Sequence, residues 1–291
     1  MNFQAPKSIM LEKAYAACCE HVRTLDADRY LATLFAPAER QPHIFALYAF
    51  NAEIARVRGL VSDPLPGEMR FQWWRDLLHG EAQGDAARNP IAIALVATIQ
   101  TCKLPVKPFT DLLEARTFDL YDDPMPTWLD CEGYCGETSS ALIRLTSLAL
   151  GGGADNDAAI AAGHAGVAFA LTGLLRAFPW TCRRGQLFLP KEVFAAHGVD
   201  LADLPQGKDS SGLRAALGEV RERAMDHLRK TRELIGSVSP RIAPAFFPCC
   251  LVEPYLRQME AKDYDPFRTR IDVSRLLKLF TLWRQSRRSR G

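Results

Sequence analysis

Four arginines stand beside two apolar stretches of the sequence, where they can hold an anionic group. Arg56 follows the stretch ALYAFNAEIA, and Arg176, Arg183 and Arg184 lie within or just after the stretch ALTGLLRAFPWTC. A guanidinium group presents a planar fork of donors that matches the oxygens of a phosphate or carboxylate. The same residues can also lie on the surface or bind helix-end carbonyls, and the sequence alone favours neither interpretation.

Carboxylates, by contrast, are sparse at the spacing that metal binding needs. Carboxylates four residues apart share one helix face, and two such helices can hold Mg²⁺ against a phosphate. Glu53 is the only acid within ALYAFNAEIARVRG. Asp119, Asp122 and Asp123 cluster in DLYDDPMPT, but this segment runs into prolines and predicts a helix end and a solvated loop. His164 has no second ligand at metal spacing, so the sequence predicts no metal site and a hydrogen-bonded core histidine.

The elements that must position these residues are helices. Nearly every segment has helical rather than alternating apolar periodicity, which predicts an all-α fold. The 291 residues, 48% of them apolar, can bury a large core, and we expect one domain over residues 1–291 with a basic tail at about 284–291. The net charge of +2 gives no support to nucleic-acid binding, and none is expected.

The cysteines and the N-terminus bear on the compartment. Eight cysteines contain no CxxC pair and no zinc-type spacing, and they fall within apolar helical patterns. The first residues include Lys7, Glu12 and Lys13 and lack the apolar run of a signal peptide. We therefore predict a reducing, cytoplasmic location. The uncharged run from Ala158 to Leu175 is shorter than the roughly 20 residues of a membrane-spanning helix.

The segment from Ala159 to Pro190 is predicted to organise the fold. Gly166, Ala170, Gly173 and Ala177 recur at helical spacing along one side of it. Pro179 is expected to end this helix near Phe178, because proline lacks the donor that a helix interior needs.

Two further helices are expected to pack on this segment. One runs over about 42–61. The other runs over about 128–150 and carries a polar group, Glu137 to Ser140, at core positions. Such buried polar groups must find partners, so they either line a cavity or cap neighbouring backbone groups, and we favour the second.

Four segments, in order and spacing, resemble the squalene/phytoene synthase superfamily. They are DADRYLATLFAPAER, ALYAFNAEIARVRGLVS, WLDCEGYCGETSSALIRLTSLAL and ALTGLLRAFPWTCRRGQLFLP, and the resemblance runs from about Tyr30 to Leu251. It implies the all-α isoprenoid synthase-type fold, a single domain of many helices around a central cavity. The two signature helices of that family face each other and carry the aspartates that hold magnesium against a prenyl diphosphate.

The resemblance also implies which residues occupy the site. The family's aspartate positions correspond here to Ala55, Gly59, Ala177 and Thr181, and Glu53 lies about half a turn away from that stripe. A family serine that helps to hold a diphosphate corresponds to Asp28, whose carboxylate would repel one. Either Asp26 or Asp28 can cap the helix that begins here, and we interpret Asp28 as an ordinary helix cap. The ligand-binding positions that the resemblance suggests are Arg40, Tyr48, Asn51, Glu53, Arg56, Thr138, Arg176, Arg183 and Arg184.

The predicted function follows from this contrast between a retained scaffold and replaced ligands. The sequence is most similar to the branch of the superfamily that lacks the aspartate motifs and includes a mitochondrial complex I assembly factor. We predict a non-catalytic protein without a cofactor that binds a prenyl diphosphate, a prenyl lipid or a quinone-like ligand, or a respiratory-complex subunit. The alternatives are an active head-to-head prenyl transferase, which would need Mg²⁺, and a helical protein whose cavity is packed core.

The C-terminal segment combines basic and apolar residues. From Phe267 to Gly291 it carries many arginines against a lone Asp272, with leucines and aromatic residues between them. This composition predicts contact with a membrane surface or an acidic partner, placing the protein peripherally at the inner face of a membrane. A plainer arrangement packs the apolar residues up to Trp283 on the body and leaves only the last residues solvated.

Overall fold

The computed structural model describes residues 8–82, 88–151 and 156–289, and these ranges are helical with no strand among them. This confirms the predicted all-α class. The α-helices are α1 Ser8–Leu25, α2 Ala27–Thr33, α3 Gln41–Ala55, α4 Val57–Leu60, α5 Pro64–His79, α6 Pro90–Cys102, α7 Lys107–Thr117, α8 Trp128–Cys135, α9 Ala141–Ala149, α10 Asn156–Arg183, α11 Lys191–Ala196, α12 Ser211–Leu234, α13 Val252–Gln258 and α14 Arg275–Arg288.

Helix α10 occupies the centre of the fold, as the sequence predicted. It packs against α8, α9, α12 and α13, while α1, α3 and α6 form a neighbouring layer that reaches it through α9. Ala161, Ala165 and Ala168 of α10 are fully buried, because small side chains let the neighbouring helices approach closely. The helix is also long and apolar enough to cross a membrane by length and composition, yet 56% of its most apolar window is buried inside the fold.

The predicted end of α10 at Pro179 is wrong, because the helix continues through this proline to Arg183. Proline removes one backbone hydrogen bond, a cost of about 3 kcal/mol or more in an isolated helix. Packing on both sides of it offsets that cost. The Phe178 ring lies 6.1 Å from that of Phe194 and 5.6 Å from that of Phe267, and Cys182 is buried.

The helix expected over 42–61 is interrupted at Arg56. Helix α3 ends at Ala55 and α4 begins at Val57, and Arg56 adopts φ −89° and ψ −8°, outside ideal helical values. The interruption turns the chain just where Ala55 and Gly59 were expected to lie one helical turn apart on a continuous helix.

Between α8 and α9 the chain forms a π-helical turn, Gly136–Ser140, so the predicted helix over 128–150 is continuous but locally widened. Two members of the polar group bond to backbone, as favoured, whereas the buried Ser139 Oγ has no hydrogen-bond partner among the described residues. Thr138 Oγ1 donates to the Tyr134 carbonyl at 2.6 Å, and Ser140 Oγ donates to the Gly163 carbonyl at 2.8 Å. The π turn therefore brings Ser140 directly against α10.

A glycine in α10 makes that approach possible. A Cβ atom on Gly166 would lie 2.2 Å from Ser140 Oγ and 2.3 Å from Ser140 Cα, so Gly166→Ala forces the helices apart. We expect the substitution to lower the free energy of unfolding by about 2 kcal/mol in urea denaturation. Gly163 is the matched control, since nothing lies within 4 Å of a Cβ there, and Gly163→Ala should stabilise by about 1 kcal/mol. Equal effects of the two substitutions would contradict the contact.

His164 lies in a hydrogen-bonded pair, as predicted. Its Nδ1 is 3.0 Å from Nδ1 of His227, and Nε2 of His227 is 3.4 Å from a carboxylate oxygen of Glu132. Burial lowers the pKa of both imidazoles. Because one nitrogen of the pair must accept, at least one ring is neutral. The cysteines are all free thiols.

Candidate functional site

The C-terminal end of α3, helix α4 and the second half of α10 enclose a cavity of about 510 Å³, here called the α3–α10 cavity. The four positions that the resemblance singled out, Ala55, Gly59, Ala177 and Thr181, all line it. On α10, Ala177 and Thr181 are one turn apart and face the cavity together. The remaining lining residues are Arg56, Arg58, Leu60, Arg116, Asp119, Tyr134, Leu174, Arg184, Gln186 and Phe188.

Arginines dominate the charge of this cavity. Of the four arginines predicted to hold an anion, the structure brings two here, Arg56 and Arg184, and it adds Arg58 and Arg116. Arg184 lies in the turn directly after α10, where it also lines the cavity. Arg58 also pairs with the exposed Asp122 at 3.1 Å, and Arg56 reaches Glu53 at 3.4 Å. The lining of the cavity therefore combines arginines with apolar side chains such as Leu174 and Phe188.

The other two predicted arginines lie elsewhere. Arg183, the last residue of α10, is about 200° around the helix axis from Thr181 and donates to the Phe267 carbonyl at 3.4 Å. Arg176 is about 100° from Ala177 and lines a different cavity. The predicted cluster of four is thus two pairs on different sides of α10.

One carboxylate, Asp119, lines the α3–α10 cavity, and it is already neutralised. Arg116 donates to its Oδ2 at 2.9 Å and the Tyr134 hydroxyl donates to its Oδ1 at 2.7 Å, while Gln186 donates to the Asp119 carbonyl at 3.1 Å. Burial raises the pKa of Asp119, against the opposing effect of Arg116. The prediction of a solvated loop is therefore wrong for Asp119, which is 5% exposed, and right for Asp122.

The magnesium chemistry that the fold implies does not fit these side chains. Mg²⁺ bound against a diphosphate takes oxygen ligands from carboxylates on two facing helices. Here one carboxylate lines the cavity and its oxygens accept from Arg116 and Tyr134. Within the described ranges, no three His, Cys, Asp or Glu side chains come together as a ligand set.

On the other side of α10 lies a polar cavity of about 420 Å³ built around Asp28, here called the Asp28 cavity. The Asp28 carboxylate is 8% exposed and accepts from Tyr255 at 2.7 Å, from Lys278 at 2.9 Å and from Arg176 at 3.2 Å. The Arg176 guanidinium also stacks over the Tyr255 ring, 3.8 Å from its centroid. Asp28 therefore joins α2, α10, α13 and α14 through one buried ionic cluster.

The interpretation of Asp28 as a helix cap is wrong, because the cap of α2 is Asp26, whose side chain accepts from the Arg29 amide. Asp28 instead serves as the internal anion for two cations. Burial lowers the pKa of Lys278, but its hydrogen bonds to Tyr255 and Asp28 raise it by more. Burial also raises the pKa of Tyr255 to about 12, so its hydroxyl stays a donor.

Two of the remaining suggested ligand positions bind backbone rather than a cavity. Arg40 donates to the Ala149 carbonyl at 3.2 Å, and the Thr138 hydroxyl donates to the Tyr134 carbonyl. Neither lines the α3–α10 cavity.

The other three suggested positions lie on α3 but outside the cavity lining. Tyr48 is buried, which raises the pKa of its phenol to about 12. Asn51 is also buried, and its Oδ1 has no hydrogen-bond partner among the described residues. Glu53 lies 2.9 Å from Nε2 of His21, on the opposite side of α3 from Ala55, as its spacing predicted.

Comparison with known proteins now identifies the family. The sequence profile of squalene/phytoene synthase matches residues 22–277. The chain belongs to the squalene/phytoene synthase family. Among its relatives, the mouse NADH dehydrogenase (ubiquinone) complex I, assembly factor 6 is 31% identical over 273 residues, covering 94% of this chain and 82% of that protein. The 15-cis-phytoene synthase of Synechococcus elongatus is 27% identical over 291 residues, covering 94% and 92%.

Solved structures of this family share the fold. A dehydrosqualene synthase in complex with ligand superposes with a TM-score of 0.81 at 20% identity, covering 96% of this chain and 98% of that one. A squalene synthase from Alicyclobacillus acidocaldarius superposes with a TM-score of 0.75 at 23% identity, covering 90% and 98%. The predicted isoprenoid synthase-type fold is confirmed.

Sequence reasoning missed several residues of this family member's two cavities. Arg58 could have been predicted from the sequence, because it lies three residues after Ala55 and directly before Gly59, two positions of the family's aspartate motif. Arg116 and Asp119 also lie one turn apart, at ion-pair spacing. Tyr255 and Lys278 carried no such signal, since they meet Asp28 only through the tertiary packing of distant helices.

Proposed function

We propose that this squalene/phytoene synthase family member helps to assemble respiratory complex I, and does so by binding rather than by prenyl transfer. The carrying observation is the charge of the α3–α10 cavity, which offers arginines and a single, neutralised carboxylate. Such a cavity attracts an anionic head group directly and gives a magnesium–diphosphate complex no free ligands. On this proposal the protein is a pseudoenzyme of the family.

The ligand that suits the cavity is an amphiphile with an anionic head and a long apolar tail. Arg56, Arg58 and Arg184 supply the donors for the head, and Leu174 and Phe188 supply apolar wall for the tail. A volume of about 510 Å³ falls within the range of ordinary ligand sites. A prenyl diphosphate or another acidic prenyl lipid has this chemistry, and a quinone-like ligand would use the apolar wall alone.

The assembly role rests on the relatives named complex I assembly factor 6, which match this chain over nearly its whole length. We propose a cytoplasmic location, at the inner face of the membrane that holds the complex. Deleting the gene in its source organism should lower NADH–quinone oxidoreductase activity and the amount of assembled complex on native gels, while succinate–quinone activity stays unchanged. Unchanged complex I in the deletion strain would refute the proposal.

The alternative function, an active head-to-head prenyl transferase, is favoured by the match to phytoene synthases over 94% of the chain. On the proposed function, the purified protein with farnesyl or geranylgeranyl diphosphate and Mg²⁺ should release no pyrophosphate above the background of a heat-denatured sample. The reason is the missing set of free carboxylates, which would otherwise stabilise the departing diphosphate through the metal. Magnesium-dependent release that Glu53→Gln abolishes would establish the alternative.

A further inference from the structure

Helix α14 carries apolar residues on its solvent side, which is the reverse of an ordinary surface helix. Its inner side docks on the body through Leu282, fully buried against Leu31 and Phe247, and through the buried Lys278. The solvent side presents the outer stripe of α14, which consists of Leu276, Phe280 and Trp283. These three side chains are 81%, 57% and 52% exposed.

The outer stripe is one continuous surface. Its residues follow one another at spacings of four and three, so they share a helix face, and the rings of Phe280 and Trp283 lie 6.0 Å apart. Leu282 and its neighbours dock the helix on the body, whereas more than half of each outer-stripe side chain is exposed to solvent. The predicted arrangement, with the apolar residues up to Trp283 packed on the body, is therefore wrong for these three residues.

The charge around the outer stripe is basic throughout. Helix α14 contains no acidic residue, it extends beyond Trp283 into the predicted tail as far as Arg288, and residues 290–291 lie outside the described ranges. Its exposed arginines form no ion pair within the described part of the chain; they are Arg275, Arg284, Arg287 and Arg288. Unpaired guanidinium groups beside an exposed tryptophan are the combination that favours an anionic membrane interface.

A groove of about 930 Å³ runs beside α14, and its shape helps to identify the occupant. Its lining includes Leu277 and Phe280 together with Arg284 and Arg288, but excludes Leu276 and Trp283, which stand on the crest of the helix. A partner helix seated in the groove would leave the crest in water. A layer of lipid head groups, in contrast, would cover Leu276 and Trp283 on the crest and would also contact the flanking arginines.

A second copy of this chain is a poorer occupant. In a symmetric dimer the same surface faces itself, so the arginines of α14 would face the identical arginines of the other copy. The acid in the groove, Glu253, is already bonded to Arg232 and Arg257 and cannot neutralise them.

We propose that the outer stripe of α14 and its flanking arginines dock this protein on an anionic lipid bilayer. The stripe enters the head-group region, and the arginines bind lipid phosphates. This goes beyond the proposed function, because it concerns a surface remote from the α3–α10 cavity and stands whether or not that cavity binds a ligand.

Co-sedimentation of the full chain with phosphatidylcholine vesicles, with and without phosphatidylglycerol, tests the docking. The wild type should sediment with the anionic vesicles only. The variant Arg284→Gln/Arg287→Gln/Arg288→Gln should bind about a hundredfold more weakly, from the usual contribution of each arginine near such a surface. The variant Leu276→Ser/Phe280→Ser/Trp283→Ser should not bind. Thermal melting by circular dichroism verifies that each variant is folded.

The matched control is Leu129→Ser/Ile160→Ser, which removes apolar residues that are 83% and 54% exposed elsewhere on the molecule. It should sediment like the wild type. Absence of wild-type binding to anionic vesicles, or equal binding by the stripe variant, would overturn the proposal. So would a dimer in sedimentation velocity that the stripe substitutions dissociate, since this would assign the surface to a second copy.

Quenching by brominated lipids locates the contact. Trp283 should be the residue that enters the bilayer, so quenching of the wild type should be lost in Trp283→Phe and kept in Trp180→Phe. Trp180 is the suitable comparison because it is 70% exposed on α10. Quenching that follows Trp180 would show that another face binds, and would overturn the assignment to α14.

Discussion

Replacing Asp28 by asparagine is expected to lower the free energy of unfolding by about 4 kcal/mol, because it leaves the buried Lys278 and the partly buried Arg176 without their shared anion. The substitution keeps the size of the side chain and removes the charge that holds Lys278 at 2.9 Å and Arg176 at 3.2 Å. Lys278 retains a second partner, Asp272 at 3.1 Å, but that carboxylate is largely solvated. Urea denaturation at neutral pH measures the loss.

The control is Asp226→Asn, which removes an exposed aspartate paired with Arg229 on the surface of α12. An exposed pair of this kind contributes about 0.5 kcal/mol, so the control should be nearly neutral. The double variant Asp28→Asn/Lys278→Met removes both charges, and its loss should be smaller than the sum of the single losses. A loss of less than about 1 kcal/mol for Asp28→Asn would mean that the Asp28 cluster does not hold the four helices together.

The same cluster explains how this chain departs from the diphosphate site that its family resemblance implies. In the wild type the Asp28 carboxylate pairs with Lys278 and Arg176, so neither of these two cations is free for an added anion. The variant Asp28→Ser should be destabilised in the same way, but inorganic diphosphate should raise its melting temperature and leave that of the wild type unchanged.

The fold was predictable because its signals are local. Helical periodicity and turn residues mark most of the helices directly, and the resemblance supplies their order around α10. Pro179 shows where local rules fail. A proline that would end an isolated helix is retained inside α10, because the rings of Phe194 and Phe267, from distant parts of the chain, pack on Phe178. The break at Arg56 was equally invisible in the apolar pattern.

The site was predictable only where spacing along one helix decides it. Ala177 and Thr181 share a face of α10, and both line the cavity together with Arg184 in the turn that follows. Arg176 and Arg183 looked equivalent to them in sequence but lie on other sides of the helix, since Arg176 is about 100° around it from Ala177 and Arg183 about 200° from Thr181. Contacts between distant helices, such as that of Asp28 with Tyr255, leave no trace in local spacing.

Arg58 and Arg184 line the α3–α10 cavity, whereas Arg176 and Arg183 do not, so the two sets of arginines can be tested separately for ligand binding. We expect the α3–α10 cavity to bind farnesyl thiodiphosphate, a non-hydrolysable analogue, with the same affinity in the presence and absence of a chelator. The head group would be held by Arg58 and Arg184 rather than by metal. A charge-assisted hydrogen bond contributes about 1.5–3 kcal/mol, so losing two of them should weaken binding at least about a hundredfold in Arg58→Gln/Arg184→Gln.

The neighbouring residue supplies the control for this titration. Arg183→Gln removes the same charge one position away, where the side chain contacts the Phe267 carbonyl, and it should leave the affinity unchanged. Ala177→Trp should abolish binding by filling the cavity between α3 and α10. Isothermal titration calorimetry separates the possible outcomes. A loss of affinity in Arg183→Gln as large as that in Arg58→Gln/Arg184→Gln would indicate nonspecific electrostatic attraction. Binding that a chelator abolishes would mean that a metal, rather than the arginines, holds the head group.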